Sequence, residues 1–253
     1  MKKPYALFLI FFLIITTAIT ASTPLVLASE PHPKYASTTL RLIDHHEYIR
    51  QNPAPDYWRL TGYYVPQHNP KACGVASVTM ILNALRASHK LTSSDDLFTH
   101  EKILSVSKKL GSAVGKFGKG ISLDDLKTEL ELLASKLPLN NAYKVSTHRF
   151  NDSNESDALT QLENLLKQNE TSGDNFLIAN FLQSELTGDP EGAIGHHAPI
   201  AAYDDKSKMV LIFDPDRTYY EPYWVKTKTL LKAINTPDSS NKKSRGLLFI
   251  EKR

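Results

Sequence analysis

The chain of 253 residues holds one cysteine, Cys73, so no disulfide within it can staple the fold, and buried apolar surface must hold it together. That cysteine opens a run showing how part of the surface is buried. Val75, Val78, Leu82 and Leu85 recur three or four apart, with Ile81 beside them, which predicts a helix with one buried face starting at Cys73. A thiol in the first turn of a helix meets N–H groups without intrahelical partners and the positive end of the dipole. Both favour the thiolate. Gly74 leaves room for a close approach from outside. Gln67, six residues before the thiol, offers a side-chain amide donor, and the Cys73 backbone N–H offers a second for an oxyanion. A lone cysteine is as readily a small buried hydrophobe, so on this stretch alone nucleophile and core filler stand level.

Lys2-Lys3 precede the apolar block Ala6–Ile15, and Val26-Leu27-Ala28 supplies modest residues before a cut, a pattern that predicts a signal peptide over residues 1–28. Ala21 is the second cleavage site, and an uncleaved anchor is the alternative. The expected product is exported, periplasmic or secreted. Its 28 basic and 27 acidic side chains leave a net of +1, which argues against a nucleic-acid groove or a basic membrane face. An unpaired thiol in an oxidising compartment is then either inert and buried or reactive.

Residues 29–60, with Pro31, Pro33, Pro53 and Pro55, read as an extended segment ahead of a domain over residues 61–253. His45 and His46 lack a partner motif and read as a solvated pair rather than metal ligands, and no metal site is expected. A helix is expected over Leu97–Leu110 and a flexible loop over the glycine-rich run 111–120, whose spacing departs from a phosphate loop. Ser122 caps a helix through Leu126, Leu130, Leu133 and Leu137, and a surface helix surrounds Leu159–Leu166. Sequons begin at Asn151, Asn154 and Asn169.

From Asn175 the pattern turns strand-like. Residues 176–182, 198–203, 209–213 and 246–250 read as short strands of a largely antiparallel sheet, with Asp204–Lys208 as the turn of a hairpin. If that turn centres near Asp205, residues whose numbers sum to about 410 face each other, which sets His196 opposite Asp214, close enough for a carboxylate to hold an imidazole. His197 points to the other face. Cys, His and Asp in this order, the first on a helix and the others on a sheet, is the layout of a papain-like hydrolase. The expected class is α+β, with an N-terminal helical part packed on a C-terminal antiparallel sheet.

Gly195-His196-His197-Ala198-Pro199-Ile200, Leu211–Arg217 with its Asp214-Pro215-Asp216-Arg217 end, and Tyr220–Val225 resemble the phytochelatin synthase family, as do Gln67–Arg86, Ala233–Asp238 and Ser244-Arg245-Gly246. The resemblance covers most of residues 60–253 in a consistent order. It implies a papain-like fold and a cysteine-dependent cleavage of glutathione to glycine and a γ-glutamylcysteinyl thioester, resolved by water to γ-glutamylcysteine or by a second glutathione to a phytochelatin. Carried over by residue, it makes Cys73 the nucleophile, His196 the base and then acid, Asp214 its orienting group, and Gln67 part of the oxyanion hole. It sets Asn180, Gly195 and Arg217 near the site, and Asp238 and Arg245 on the γ-glutamyl ammonium and carboxylate; without it those two read as surface charges. It implies no cofactor for hydrolysis, cadmium or zinc as a stimulant of transpeptidation, glutathione or its metal thiolates as partners, and leaves a homodimer open. Ala198 stands where the family has Ser, the segment between Asn180 and His196 is a few residues longer, and the cysteine-rich C-terminal region of the plant enzymes has no counterpart in this sequence, so hydrolysis with weak polymerisation is expected. A papain-like peptidase of another substrate and a non-catalytic thiol or metal binder using Cys73, His196 and His197 are the alternatives.

Overall fold

The computed structural model describes residues 33–87, 90–139 and 142–252. The expected signal peptide and both its cleavage sites lie outside the described residues. Residues from Pro33 onward make one compact unit. The segment ahead of Cys73 is extended only in part, because it carries strand β1 (Leu40–Arg41) and helices α1 (Glu47–Gln51) and α2 (Pro55–Thr61). Pro55 takes the first helical position of α2, where a missing N–H removes no hydrogen bond.

Helix α3 (Cys73–Leu85) starts where the spacing predicts, but it is buried on every side, not on one face. Its polar residues permit this by finding partners close by. Thr79 Oγ1 donates to the Val75 carbonyl (2.8 Å), and Asn83 donates to the Thr79 and Phe98 carbonyls (3.1 and 2.9 Å) while accepting from Phe98 N–H (2.9 Å). The helix expected over 97–110 is two helices, α4 (His100–Val106) and α5 (Lys108–Val114), broken at Ser107. The Ser107 hydroxyl accepts from Leu110 N–H (3.0 Å), capping α5, and donates to Glu129 Oε2 (2.5 Å). The glycine-rich run is therefore helical at its start, and its remainder is tied by Gly118 N–H to Gly115 and Gly120 N–H to Ala113 (2.9 and 3.1 Å).

Helix α6 (Leu123–Lys136) has the expected Ser122 cap, whose oxygen accepts from Asp125 N–H (3.2 Å), and it buries Leu126, Leu130 and Leu133. Strand β2 (Tyr143–His148) follows. Helix α7 (Glu155–Glu170), capped by Asn154, is longer than the expected surface helix and turns Leu162, Leu165 and Leu166 inward. After it come β3 (Asn175–Leu182), α8 (Gln183–Thr187), β4 (Gly195–Asp204), β5 (Met209–Ile212), β6 (Tyr223–Lys226), α9 (Thr227–Ile234) and β7 (Gly246–Lys252).

All seven strands form one sheet in the order β1-β6-β5-β4-β3-β7-β2, every neighbouring pair antiparallel. Alternation along β3 divides its side chains between two cores: Phe176 and Ile178 face one, Leu177, Ala179 and Phe181 the other. Helices α3 and α6 fill the first core, and α7 and α9 fill the second. The fold is thus mixed α+β: the Cys-bearing helix α3 packs on the antiparallel sheet, helices cover both of its faces, and the sheet is not wholly C-terminal because β1 and β2 precede Asn175.

Candidate active site

Cys73 is the first residue of α3 and is 7% exposed. Gly74 does not open a path from outside. A Cβ there would stand 3.0 Å from Ile121 and 3.5 Å from Leu126, so this glycine lets α6 and the loop before it pack against α3. From the sheet, β4 brings two imidazoles to the thiol. His197 Nδ1 stands 3.9 Å from Cys73 Sγ, and His196 lies close enough for its charge to act on the thiol.

The expected register of the hairpin is two to three residues off. Ile200 faces Ile212, and Ala202, Tyr203 and Asp204 face Leu211, Val210 and Met209, with an irregularity between Ile200 and Ala202. A turn spread over residues 205–208, one place later than expected, shifts the whole pairing. His196 and Asp214 meet nonetheless, because the strand ladder stops at Ile200 and Ile212 and the chain after β5 bends across. Phe213 N–H donates to the Pro199 carbonyl (2.9 Å), and His196 Nε2–H donates to Asp214 Oδ1 (2.8 Å). The Asp214 carboxylate is completely buried and fully partnered. Oδ1 also accepts from Asp216 N–H (2.8 Å), and Oδ2 accepts from Gln183 Nε2 and the Tyr223 hydroxyl (both 3.1 Å).

Burial alone would push the Cys73 thiol up, but the neighbouring His196, with a smaller contribution from His197, outweighs it and brings the pKa down to about 5. For His196, burial works against the cation, and Asp214 and the thiolate overcome it, so the imidazole holds its proton well above its ordinary range. Asp214 stays ionised: desolvation is offset by His196 and its hydrogen bonds, which hold its carboxyl below the usual range. The cluster is therefore a thiolate and an imidazolium backed by a carboxylate. It can deliver a nucleophile and a proton from adjacent atoms.

Gln67 sits on the rim of this cluster, its backbone N–H bonded to the Pro215 carbonyl (2.8 Å) and its buried Oε1 without a protein partner. Asn180, on β3, lies beside His197, with Nδ2 2.7 Å from Nε2. Asp238 and Arg245 are not surface charges. They are 7% and 5% exposed, 3.6 Å apart, and Arg245 lies across Gly195, where a Cβ would stand 2.5 Å from Nη1. Arg217 is exposed, its guanidinium 5.9 Å from the Tyr64 ring centre. The structure thus gathers Cys73, His196, Asp214, Asn180, Gly195, Asp238 and Arg245, with Gln67 and Arg217 at the margin. Gln183 and Tyr223, which hold Asp214, went unremarked as site residues in the sequence. Tyr223 lies inside a motif that carries the resemblance, whereas no local signal marks Gln183.

His45 is exposed, and its carbonyl accepts from Trp224 Nε1–H (2.8 Å). Among the described residues no group of three or more His, Cys, Asp or Glu stands together as a metal cluster would. Asn169, the third sequon residue, is buried and donates to Asp56, so its side chain is closed to modification.

A family model described as phytochelatin synthase matches residues 38–247. Glutathione gamma-glutamylcysteinyltransferase 3 of Lotus japonicus is 30% identical over 234 residues, covering 90% of this chain and 44% of the relative. Glutathione gamma-glutamylcysteinyltransferase 1 of Arabidopsis thaliana is 26% identical over 89% of this chain and 43% of its own length. The Schizosaccharomyces pombe transferase of the same name is 23% identical over 80% of this chain and 45% of its own. The chain thus spans less than half the length of these curated relatives.

Proposed function

We propose that this chain, which belongs to the phytochelatin synthase family, uses Cys73 to cleave glutathione between cysteine and glycine. The observation that carries the reading is the Cys73 thiol at the head of α3 beside His196, itself held by Asp214 at 2.8 Å. The thiolate attacks the cysteinyl carbonyl of glutathione, and the oxyanion takes N–H donors from Cys73 and Gln67. His196 passes its proton to the departing glycine amine, leaving a γ-glutamylcysteinyl thioester on Cys73. His196, now neutral, takes a proton from the acceptor. Water as acceptor yields γ-glutamylcysteine, and the amine of a second glutathione yields a phytochelatin. No cofactor enters hydrolysis, and cadmium or zinc acts through glutathione thiolates to favour transfer.

The reading includes a papain-like fold, supported by a cysteine at the start of a central helix and a His–Asp pair on an antiparallel sheet. Asp238 and Arg245 take the γ-glutamyl ammonium and carboxylate, supported by their burial and by the match of a guanidinium fork to a carboxylate. Residues 1–28 direct export, supported by their basic start and apolar block.

Incubation of the purified chain and its Cys73→Ser variant with glutathione, with and without cadmium, followed by mass spectrometry, tests the reading. Glycine and γ-glutamylcysteine from the wild type alone are expected, with longer oligomers only where transfer competes. Absence of thiol-dependent cleavage in both conditions would overturn the glutathione assignment.

A further inference from the structure

Two imidazoles meet the sulfur, and the His196–Asp214 pair accounts for only one. His197 follows His196 on β4, so it leaves the strand on the face that α3 covers. Ser77 of α3 donates to its carbonyl (3.2 Å), and the residue is 3% exposed. Its Nδ1 faces Cys73 Sγ at 3.9 Å. Its Nε2 faces the amide nitrogen of Asn180 at 2.7 Å, which lies 3.5 Å from Nδ1. An amide nitrogen only donates, so Nε2 must accept, and the ring proton sits on Nδ1, aimed at the sulfur.

The direction of the Asn180 amide is itself fixed. Arg245 Nη1 donates to Asn180 Oδ1 (3.2 Å), and a guanidinium cannot accept, so the oxygen must face it and the nitrogen must face His197. Arg245 is secured in turn by Thr236 Oγ1, which accepts from its Nε (3.2 Å), and by Asp238 (3.6 Å). A buried chain of contacts thus runs Asp238, Arg245, Asn180, His197, Cys73.

We propose that His197 is a second N–H donor to the Cys73 thiolate, with its tautomer locked by Asn180 and the Asn180 amide oriented by Arg245. His197 touches the reacting atom, and Asn180 and Arg245 are positioning residues. The groups facing the thiol are His196 and His197 from β4 and Arg245 from the segment before β7, with Asp214 acting through His196. His196 supplies the charge, and His197 supplies a directed donor without transferring its proton. The N–H···S contact loosens as sulfur bonds carbon and re-forms when the thioester collapses and thiolate departs. This rests on Cys73 as the nucleophile, and not on which carbonyl it attacks.

The test reads Cys73 and the ring directly. Because Cys73 is the only cysteine in the chain, iodoacetamide alkylation followed by intact mass reports on it alone. His197→Phe is expected to raise the midpoint of the alkylation pH profile by about one unit, a tenfold loss of thiolate at pH below it, with circular dichroism unchanged. Long-range proton–nitrogen NMR on the wild-type chain is expected to find His197 protonated at Nδ1, and Asn180→Leu to release it to Nε2. A wild-type ring protonated at Nε2, or a folded His197→Phe with an unmoved midpoint, would overturn the proposal. A wild-type chain that passes both measurements yet leaves glutathione intact would keep it and overturn only the substrate.

Discussion

Two clusters of ionisable side chains, one buried and one buried in part, resolve the cost of leaving water in opposite ways. Cys73, His196 and Asp214 have partners of the other sign, so all three are ionised although burial opposes every charge. Asp56 of α2 and Glu170 of α7 have neutral donors and carboxylate neighbours: Asn169 donates to Asp56, whose neighbouring carboxylate is Glu170, and the Tyr48 hydroxyl and Tyr203 N–H donate to Glu170 (3.0 and 2.7 Å), whose neighbouring carboxylate is Asp204. Arg59, the nearest cation to act on Asp56, is paired with Asp174 at 2.9 Å. Burial first, and the neighbouring carboxylate next, push Asp56 well above the usual range, and burial lifts Glu170 to about 7. The buried Oδ1 of Asp56 has no protein partner. Burial alone therefore does not decide ionisation; the sign of the neighbour does.

The contrast extends to how the two groups answer pH. In the thiol cluster a proton moves from sulfur to imidazole within the protein, so near neutrality the folded and unfolded chains hold equal numbers of protons there and stability is flat. Below the ordinary histidine range the unfolded chain holds one more, so stability falls as pH drops through about 5. The carboxylates do the reverse. Their folded pKa values lie above their unfolded ones, so the folded state binds protons more tightly, and stability is lost as pH rises from about 4.5 to about 7.

The largest break in this comparison is at the thiol cluster. Cys73→Ser should lower glycine release from glutathione by more than about 10³-fold, and Asp214→Asn by about 10³-fold, in the same mass-spectrometric assay; near-native turnover in Asp214→Asn would reduce the pairing to architecture. Next in size is the pH profile. The rate constant kcat/KM should rise through about 5 and stay level past neutrality until His196 gives up its proton, well above 6.5, whereas an acid limb near 9 would mean an ordinary thiol. Glu170→Gln should remove roughly 1 kcal/mol of the stability lost between pH 4.5 and 7, read by urea unfolding at stepped pH, and an unchanged slope would leave Glu170 ionised. Smallest is the exposed pair Lys127–Glu131 on α6, 2.8 Å apart: Lys127→Ala should shift stability by only a few tenths of a kcal/mol, a baseline showing that charge pairs count when buried.

What could be read in the sequence follows the range of the forces involved. Helix α3, its start at Cys73 and the Ser122 cap are local patterns, and they stand in the structure where the spacing set them. The His196–Asp214 contact was expected for a partly mistaken reason: strand alternation carried the idea, but a turn one residue later changes the register, and the bend after β5 restores the contact. Strand β6 and helix α9 are four and eight residues long and adjoin, so the periodicity changes within one short stretch and neither pattern stands out. The Asp56–Asn169 contact joins residues 113 apart, and nothing near either marks it as buried. His197 was legible as lying on the opposite face from His196, but not as touching the thiol, because that depends on where α3 crosses the sheet.

Strand β1 is two residues long, yet it settles where the folding body begins. Leu40 and Arg41 pair with Trp224 and Tyr223, Arg41 binds Glu221 at 2.5 Å, and the Tyr35 hydroxyl accepts from Glu221 N–H (3.1 Å). Tyr223 is the same residue whose hydroxyl holds Asp214. Trimming the chain to begin just before α3 would strip the outer flank of β6, bare its unpaired amides to other chains, and slacken the phenol behind the carboxylate. For anyone cutting this protein to a minimal active fragment, the safe boundary lies ahead of Tyr35, some forty residues upstream of the thiol.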